Sequence, residues 1–275
     1  MESESTIIHL KKQLRHEVEL FCSSDRRMWK HPVVQILRAL QYVDARAVLF
    51  GGTLRSLLYS RLTKNRPGRP RDIDIVVDVA SIDAIRDRFH SLVTRETRFG
   101  GLQLKHGNWQ FDIWPMAKTC AFVQDNTPNP EFAMLPETTF FNLEAVAIEL
   151  WPTPGYEREI FSGNDQFFDG LSNKTLDINR EENPFPVLCI VRGLVMASAL
   201  GFQISPRLAR YIQQRGEKLT EKDLGDIQFS HYKNERKMPF HLKNWIEFIS
   251  DRICKSPDDC VTLPENQQLT FWPES

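Results

Sequence analysis

"GGTLRSLLYSRLTKNRPGRPRDIDIVVD", residues 51–78, carries the pattern that decides the fold. Two glycines open it, a leucine-rich run follows, and it closes on Asp72-Ile73-Asp74 leading into Ile75-Val76-Val77. Leu54, Leu57, Leu58 and Leu62 share one helical face and Arg55 lies off it, which predicts a helix over 53–62. Just before it, "RAVLF" (46–50) is short and apolar, suiting a buried strand that turns at Gly51-Gly52. "DIDIVVD" alternates and is rich in β-branched residues, so it reads as a second strand.

On a strand, residues two apart share a face, so Asp72 and Asp74 project side by side. Two close carboxylates repel, and a divalent cation between them relieves the repulsion. Taken alone, Asp-x-Asp is more often the polar face of an edge strand. The glycine pair shifts that balance: a strand, Gly51-Gly52 and a helix expose backbone N–H groups where a phosphate can approach. "WQFDIWPM" (109–116) places Asp112 on a later strand, with Phe111 and Ile113 on the opposite face. If Asp112 joins the pair, two cations can brace an α-phosphate for in-line displacement of pyrophosphate. The alternative for Asp112 is an ordinary strand-face carboxylate.

The rest of the chain organises around this stretch. Helical spacing predicts helices over 6–22 and 33–40, and "SIDAIRDRFHSLV" (81–93) reads as a helix with Ser81 as N-cap. Residues 96–105 and 109–114 read as strands joined at "KHGN", whose Gly107 and Asn108 suit a hairpin turn. His106 and Trp109 flank that turn and are expected to line the acceptor side. "TTFFNLEAVAIEL" (138–150) fits strand or helix equally. From Pro184 onward the pattern is helical, over 184–200, 205–214 and 240–254. The expected division is N-terminal helices over 1–45, a catalytic α/β unit over 46–180 and a helical region over 181–275.

The chain has 275 residues, 41% hydrophobic and 26% charged, with a net charge of −1. That balance is ordinary for a globular protein, and any nucleic-acid site must be a local patch. The longest apolar run, 184–202, is short for a membrane span and contains Arg192, so no membrane partner is expected. The five cysteines are scattered without a CxxC pair, against a disulfide framework or structural zinc and in favour of a reducing cytosol.

The order Gly51-Gly52, Arg55, "LLYSR", Asp72-Ile73-Asp74 resembles the head domain of class II CCA-adding enzymes and bacterial poly(A) polymerases, members of the polymerase-β-like nucleotidyltransferases. "TTFFNLEAVAIEL" is similar to the family's Phe-Thr-x-Asn-Ala strand, "FFDGLSNKTLDI" to its Asp-Pro-x-x-Gly segment, and "VRGLVMASALGFQISPRLARYI" to its Leu-Gly-Phe helix. The resemblance runs from about residue 46 to 214. It implies an α+β fold: a mixed sheet flanked by helices, then a small helical C-terminal part. There are departures. The family's Arg-Asp reads Arg55-Ser56, its Arg-Arg-Asp is replaced by Pro136-Glu137-Thr138, and its base-selecting Glu-Asp-x-x-Arg has no match. The stretch after Tyr211 is short for the helical body that grips tRNA, so a compact relative is expected.

What the resemblance implies is transfer of a nucleoside monophosphate from an NTP to a hydroxyl acceptor, an RNA 3′ end of tRNA type being favoured. Magnesium, or manganese in its place, would be held by Asp72, Asp74 and Asp112, with the nucleotide on Gly51, Gly52, Arg55 and Arg192. Arg55 and Arg192 have structural alternatives, as a surface arginine and as half of a buried ion pair. Lys64, Arg66, Arg69 and Arg71 form a basic loop suited to triphosphate or RNA backbone, or simply solvated. A silent nucleotide- or RNA-binding subunit, or a transferase acting on a protein or small molecule, is the alternative, and a protein partner is left open.

Overall fold

A computed structural model describes residues 2–23, 31–43, 45–64, 70–232 and 239–264. The chain divides into two compact units, one of residues 1–139 with 143–168, the other of 140–142 with 169–275. The N-terminal helices thus belong to the same unit as the sheet.

The first unit contains helices α1 (Glu2–Ser23) and α2 (His31–Gln41), strand β1 (Ala47–Phe50), α3 (Gly52–Thr63), β2 (Ile73–Val77) and α4 (Asp83–Arg88). It continues through β3 (Val93–Glu96), β4 (Leu102–His106), β5 (Trp109–Pro115), α5 (Cys120–Gln124), β6 (Ala147–Glu149) and β7 (Ile160–Phe161), and the boundary falls within α6 (Gln166–Ser172). The seven strands form one mixed sheet in the order β3-β4-β5-β2-β1-β6-β7. β2 and β5 pair in parallel; every other pairing is antiparallel.

Strand periodicity gives the sheet two unlike faces. Leu49, Ile73, Ile75, Leu102, Leu104, Phe111 and Ile113 are fully buried on one of them. Helix α3 buries Leu54, Leu57 and Leu58 and packs against β1 and β2, and α1 packs on α3 in turn. Ion pairs bind α1 to the segment around β7: Lys11 to Asp165 at 2.8 Å, Arg15 to Glu157 at 3.2 Å, and Glu19 to Arg158 at 2.6 Å. On the second face Val48, Phe50, Val76, Ala147 and Phe161 pack with Met116, Phe122, Phe132 and Leu135 from the 116–138 segment, and Trp114 of β5 packs against this cluster.

The second unit holds β8 (Thr175–Leu176), α7 (Pro186–Leu200), β9 (Gln203–Ile204), α8 (Pro206–Gly216), α9 (Glu221–Tyr232) and α10 (Pro239–Lys255). Helix α7 begins with Pro186 in its first turn and ends at Gly201, whose φ of 64° is the left-handed stop a glycine tolerates. Ser205 caps α8 by accepting a hydrogen bond from the Leu208 N–H. Among the described residues no helix is long and apolar enough to cross a membrane. All five cysteines are free thiols.

Several boundaries differ from expectation. The strand expected over 96–105 is two strands, split at Gly100, whose φ of 82° turns the chain between β3 and β4. β3 therefore starts at Val93, inside the segment read as helix, and α4 is only six residues long. The stretch 138–150 combines a helical turn over 142–144 with β6. Helix α9 was not anticipated. Its sequence offers few apolar residues and has Gly225 inside it.

Candidate active site

Asp74 and Asp112 are register partners on the parallel strands β2 and β5. Asp72 precedes Asp74 by two residues and so shares its side of the sheet. The pairing fixes this convergence through backbone hydrogen bonds, so it does not depend on side-chain rotamers. On the other side of Asp74, Phe50 of β1 is its antiparallel partner, and the chain turns immediately afterwards at Gly51. Gly51 has φ 67° and ψ −127°, a conformation open to glycine alone, and a Cβ built there would lie 4.0 Å from Asp74 Oδ2. Its own N–H donates to the Val146 carbonyl. The glycine turn thus abuts the carboxylates, and α3 starts there without a side-chain cap.

Charge is unbalanced at this point. Burial, then the carboxylates of Asp72, Asp112 and Glu144, push Asp74 well above the usual carboxylate range, with Arg71 opposing. Burial also raises Asp112, joined by the Asp72 charge, while a hydrogen bond from Gln103 at 2.9 Å and the charges of Arg95 and Arg71 pull the other way. Four carboxylates converge, with Arg71 on Asp72, Arg55 on Glu144 and the charge of Arg95 acting on Asp112. Arg71 binds Asp72 Oδ2 through Nε at 3.1 Å and Nη2 at 2.8 Å.

Glu144 is the member that sequence reasoning missed. It lies in the turn before β6 and accepts from Arg55 Nη1 at 3.2 Å, with both side chains mostly buried. Arg55 is thereby held at the glycine turn, its Nη2 within 3.5 Å of where a Gly52 Cβ would stand. The ambiguous period of residues 138–150 hid Glu144.

Lys64 is the left-handed C-cap of α3 and is exposed. Arg66 and Arg69 lie outside the described residues. Arg192 belongs to the second unit, on α7, where its guanidinium stands 5.6 Å from the Phe141 ring centroid. His106 and Trp109 do not face the carboxylates. Trp109 is 3% exposed, on the same side of β5 as Phe111 and Ile113, and His106 bonds Gln35 at 2.6 Å. Lys105 and Gln110 occupy the side that these two were expected to fill.

The donor set is oxygen-only and short of positive charge, which fits a hard divalent cation such as magnesium. Among the described residues, no three acidic, histidine or cysteine side chains are gathered tightly enough to hold an ion as they stand. The contacts explain this, since Asp72 is turned to Arg71 and Asp112 to Gln103.

No protein-family model matches this chain, and no curated protein matches it significantly. Solved structures do. A CCA-adding enzyme in complex with CTP superposes with a TM-score of 0.54 at 17% identity, over 84% of this chain and 53% of that one. A tRNA nucleotidyltransferase with a primer tRNA and an incoming ATP analogue gives 0.52 at 18%, over 79% of this chain and 61% of that one. A tRNA-processing enzyme in an apo form gives 0.51 at 17%, over 82% and 56%. The chain shares its fold with these solved structures. This chain spans little more than half the length of those solved chains. Within that fold the paired aspartates lie on adjacent parallel strands beside the glycine turn.

Proposed function

We propose that the chain is a metal-dependent nucleotidyltransferase that moves a nucleoside monophosphate from an NTP to the 3′ hydroxyl of a tRNA-like RNA, releasing pyrophosphate. The observation that carries this reading is the register pairing of Asp74 with Asp112 directly beside the Gly51 turn. The solved neighbours include complexes with tRNA, an ATP analogue and CTP, which supports RNA and NTP as partners.

Asp72, Asp74 and Asp112 would hold magnesium or manganese. A bound metal would supply Lewis acidity and charge neutralisation for the transfer. Gly51 and Gly52 let the triphosphate approach the start of α3, and Arg55, oriented by Glu144, neutralises its outer phosphates. The acceptor oxygen bonds to the α-phosphorus as the bond from that phosphorus to the bridging oxygen breaks, and pyrophosphate leaves with the electron pair. The hydroxyl proton would pass to a carboxylate oxygen of the site, Asp112 being the carboxylate on the β5 side.

The test is incubation with magnesium, each α-labelled NTP in turn and RNA, beside Asp74→Asn and Asp112→Asn. Label entering RNA only with the intact carboxylates supports the proposal. Label entering protein or a small molecule instead would assign a different acceptor. The Arg71–Asp72 contact favours a second reading, a silent binding module whose metal site is closed by an arginine. Magnesium-dependent NTP binding without transfer to any acceptor would select it.

A further inference from the structure

The β-register extends the carboxylate site in one direction. Arg95 of β3 pairs with Gln103 of β4, Gln103 with Asp112 of β5, and Asp112 with Asp74 of β2. Further along the strands, Lys105 pairs with Gln110, which precedes Asp112 by two residues and so shares its face. Arg95, Gln103, Lys105 and Gln110 share the face of the carboxylates; Gln103 and Gln110 are half-buried, and Arg95 and Lys105 are exposed. The remainder of this face is roofed by the 116–138 segment over β1, β6 and β7, with Val76 of β2 and Trp114 of β5 packed into the same cluster. On the near side of Trp114, the β3-β4-β5 side is therefore a polar half-face with two cations at its outer edge, ending on the carboxylates.

We infer that this half-face is the acceptor track, where the 3′-terminal strand of an RNA lies with its phosphates on Arg95 and Lys105 and its terminal hydroxyl at Asp112. The inference rests on the nucleotidyltransferase reading. In-line displacement puts the attacking oxygen and the leaving pyrophosphate on opposite sides of the α-phosphorus. The glycine turn and Arg55, where the pyrophosphate would lie, are on the β1 side of Asp74. The acceptor must then arrive from the β5 side, and β4 and β3 are what lies there. Strands spaced about 4.8 Å apart put β3 about 14 Å from β2, room for the phosphates just upstream of a terminal hydroxyl. Charge complementarity selects the ligand: two exposed cations aligned with a row of amide side chains suit a polyanionic strand. Arg95 is also close enough to Asp112 to favour its ionised form.

The test compares the full chain with its Arg95→Ser/Lys105→Ser variant, both substitutions being at exposed positions. The probe is a 5′-fluorescein RNA hairpin with a single-stranded 3′ overhang, read by anisotropy across a salt series. Magnesium-dependent thermal stabilisation by ATP and CTP is measured in parallel. The expected result is at least a tenfold loss of RNA affinity and a salt slope shallower by about 1.4, from two lost single-strand phosphate contacts at about 0.7 each. Nucleotide stabilisation should be unchanged. Unchanged RNA affinity and slope would overturn the track. Loss of nucleotide stabilisation would overturn it as well, by assigning the two cations to the triphosphate. Wild-type chain that transfers label to a protein or small molecule but does not bind the hairpin would overturn the track and leave the transferase reading standing. Absence of any magnesium-dependent nucleotide stabilisation in the wild type would sink both.

Discussion

Arg71 holds Oδ2 of Asp72 through two nitrogens, at 3.1 and 2.8 Å, so an entering cation and this arginine compete for one carboxylate. Arg71 is half exposed, and such a contact is worth about 0.2–1 kcal/mol. Replacing it with serine should raise the apparent affinity for magnesium or manganese by up to about fivefold, following that range. It should also lower the melting temperature of the metal-free protein slightly, because one of the charges that offset the carboxylate repulsion is gone. A manganese titration followed by electron paramagnetic resonance checks the first effect. Weaker manganese binding in Arg71→Ser would mean that Arg71 supports the ion and does not compete with it.

The proton affinity of Asp74 leads to a pH prediction. Its folded-state pKa lies above the ordinary value, so between the two values the folded protein binds more protons than the unfolded one. Stability in EDTA must therefore fall as pH rises from the ordinary carboxylate value through the folded pKa, and level off above it. Asp74→Asn removes that slope and should raise the melting temperature above the folded pKa by about 2–4 °C, the scale of about 1 kcal/mol in a domain of this size. The same variant should cut transfer at least about 100-fold, equivalent to about 2.7 kcal/mol. Urea unfolding across pH 4 to 9 in EDTA, for wild type and variant, provides the measurement (about 4 being the ordinary carboxylate pKa). A variant less stable than wild type at the upper end would contradict the account of site repulsion.

Much of this site was legible because strands have a period of two. Asp72 and Asp74 announce a shared face by spacing alone, and Asp112 between Phe111 and Ile113 announces its own. Parallel pairing of β2 with β5 was not legible, since register between distant segments is set by packing. Trp109 was misplaced against available information: it is an odd number of residues from Asp112, so the same period assigns it to the buried face. Glu144 left no such signal, because a helical turn next to a three-residue strand has no period to detect. Arg95 was hidden by the turn at Gly100 and by a bulge between Val93 and Arg95, neither of which spacing reveals.

The two glycines should respond differently to alanine. Gly51 has a positive φ, and alanine there is strained by about 1–3 kcal/mol. Gly52 has no such constraint, and the nearest atom to an added Cβ is the end of the Arg55 side chain at 3.5 Å, which can move. Gly52→Ala should therefore retain wild-type stability yet lose much of the magnesium-dependent stabilisation by NTP, because the methyl group stands where a phosphate would approach. Gly51→Ala should lower the melting temperature by several degrees even without ligand. Differential scanning fluorimetry with and without nucleotide separates the two. Full nucleotide stabilisation in Gly52→Ala would remove the glycine turn from the phosphate site.

Glu144 and Arg55 offer the sharpest test of how the nucleotide side is organised. Their contact is largely shielded from solvent, at 12% and 19% side-chain exposure, so it orients Arg55 more firmly than a surface pair would. Glu144→Gln keeps shape and a hydrogen-bond acceptor but removes a charge that opposes ionisation of Asp74. The expected outcome is a several-fold rise in KM for the NTP with a smaller change in kcat, since Arg55 is less well positioned while the carboxylates of the reaction are intact. Arg55→Ala should raise KM further, and the double variant should be no worse than Arg55→Ala alone, because Glu144 then has no arginine to orient. Additive losses would show that Glu144 acts independently of Arg55. Its nearness to Asp74 would then identify it as a fourth carboxylate of the metal site.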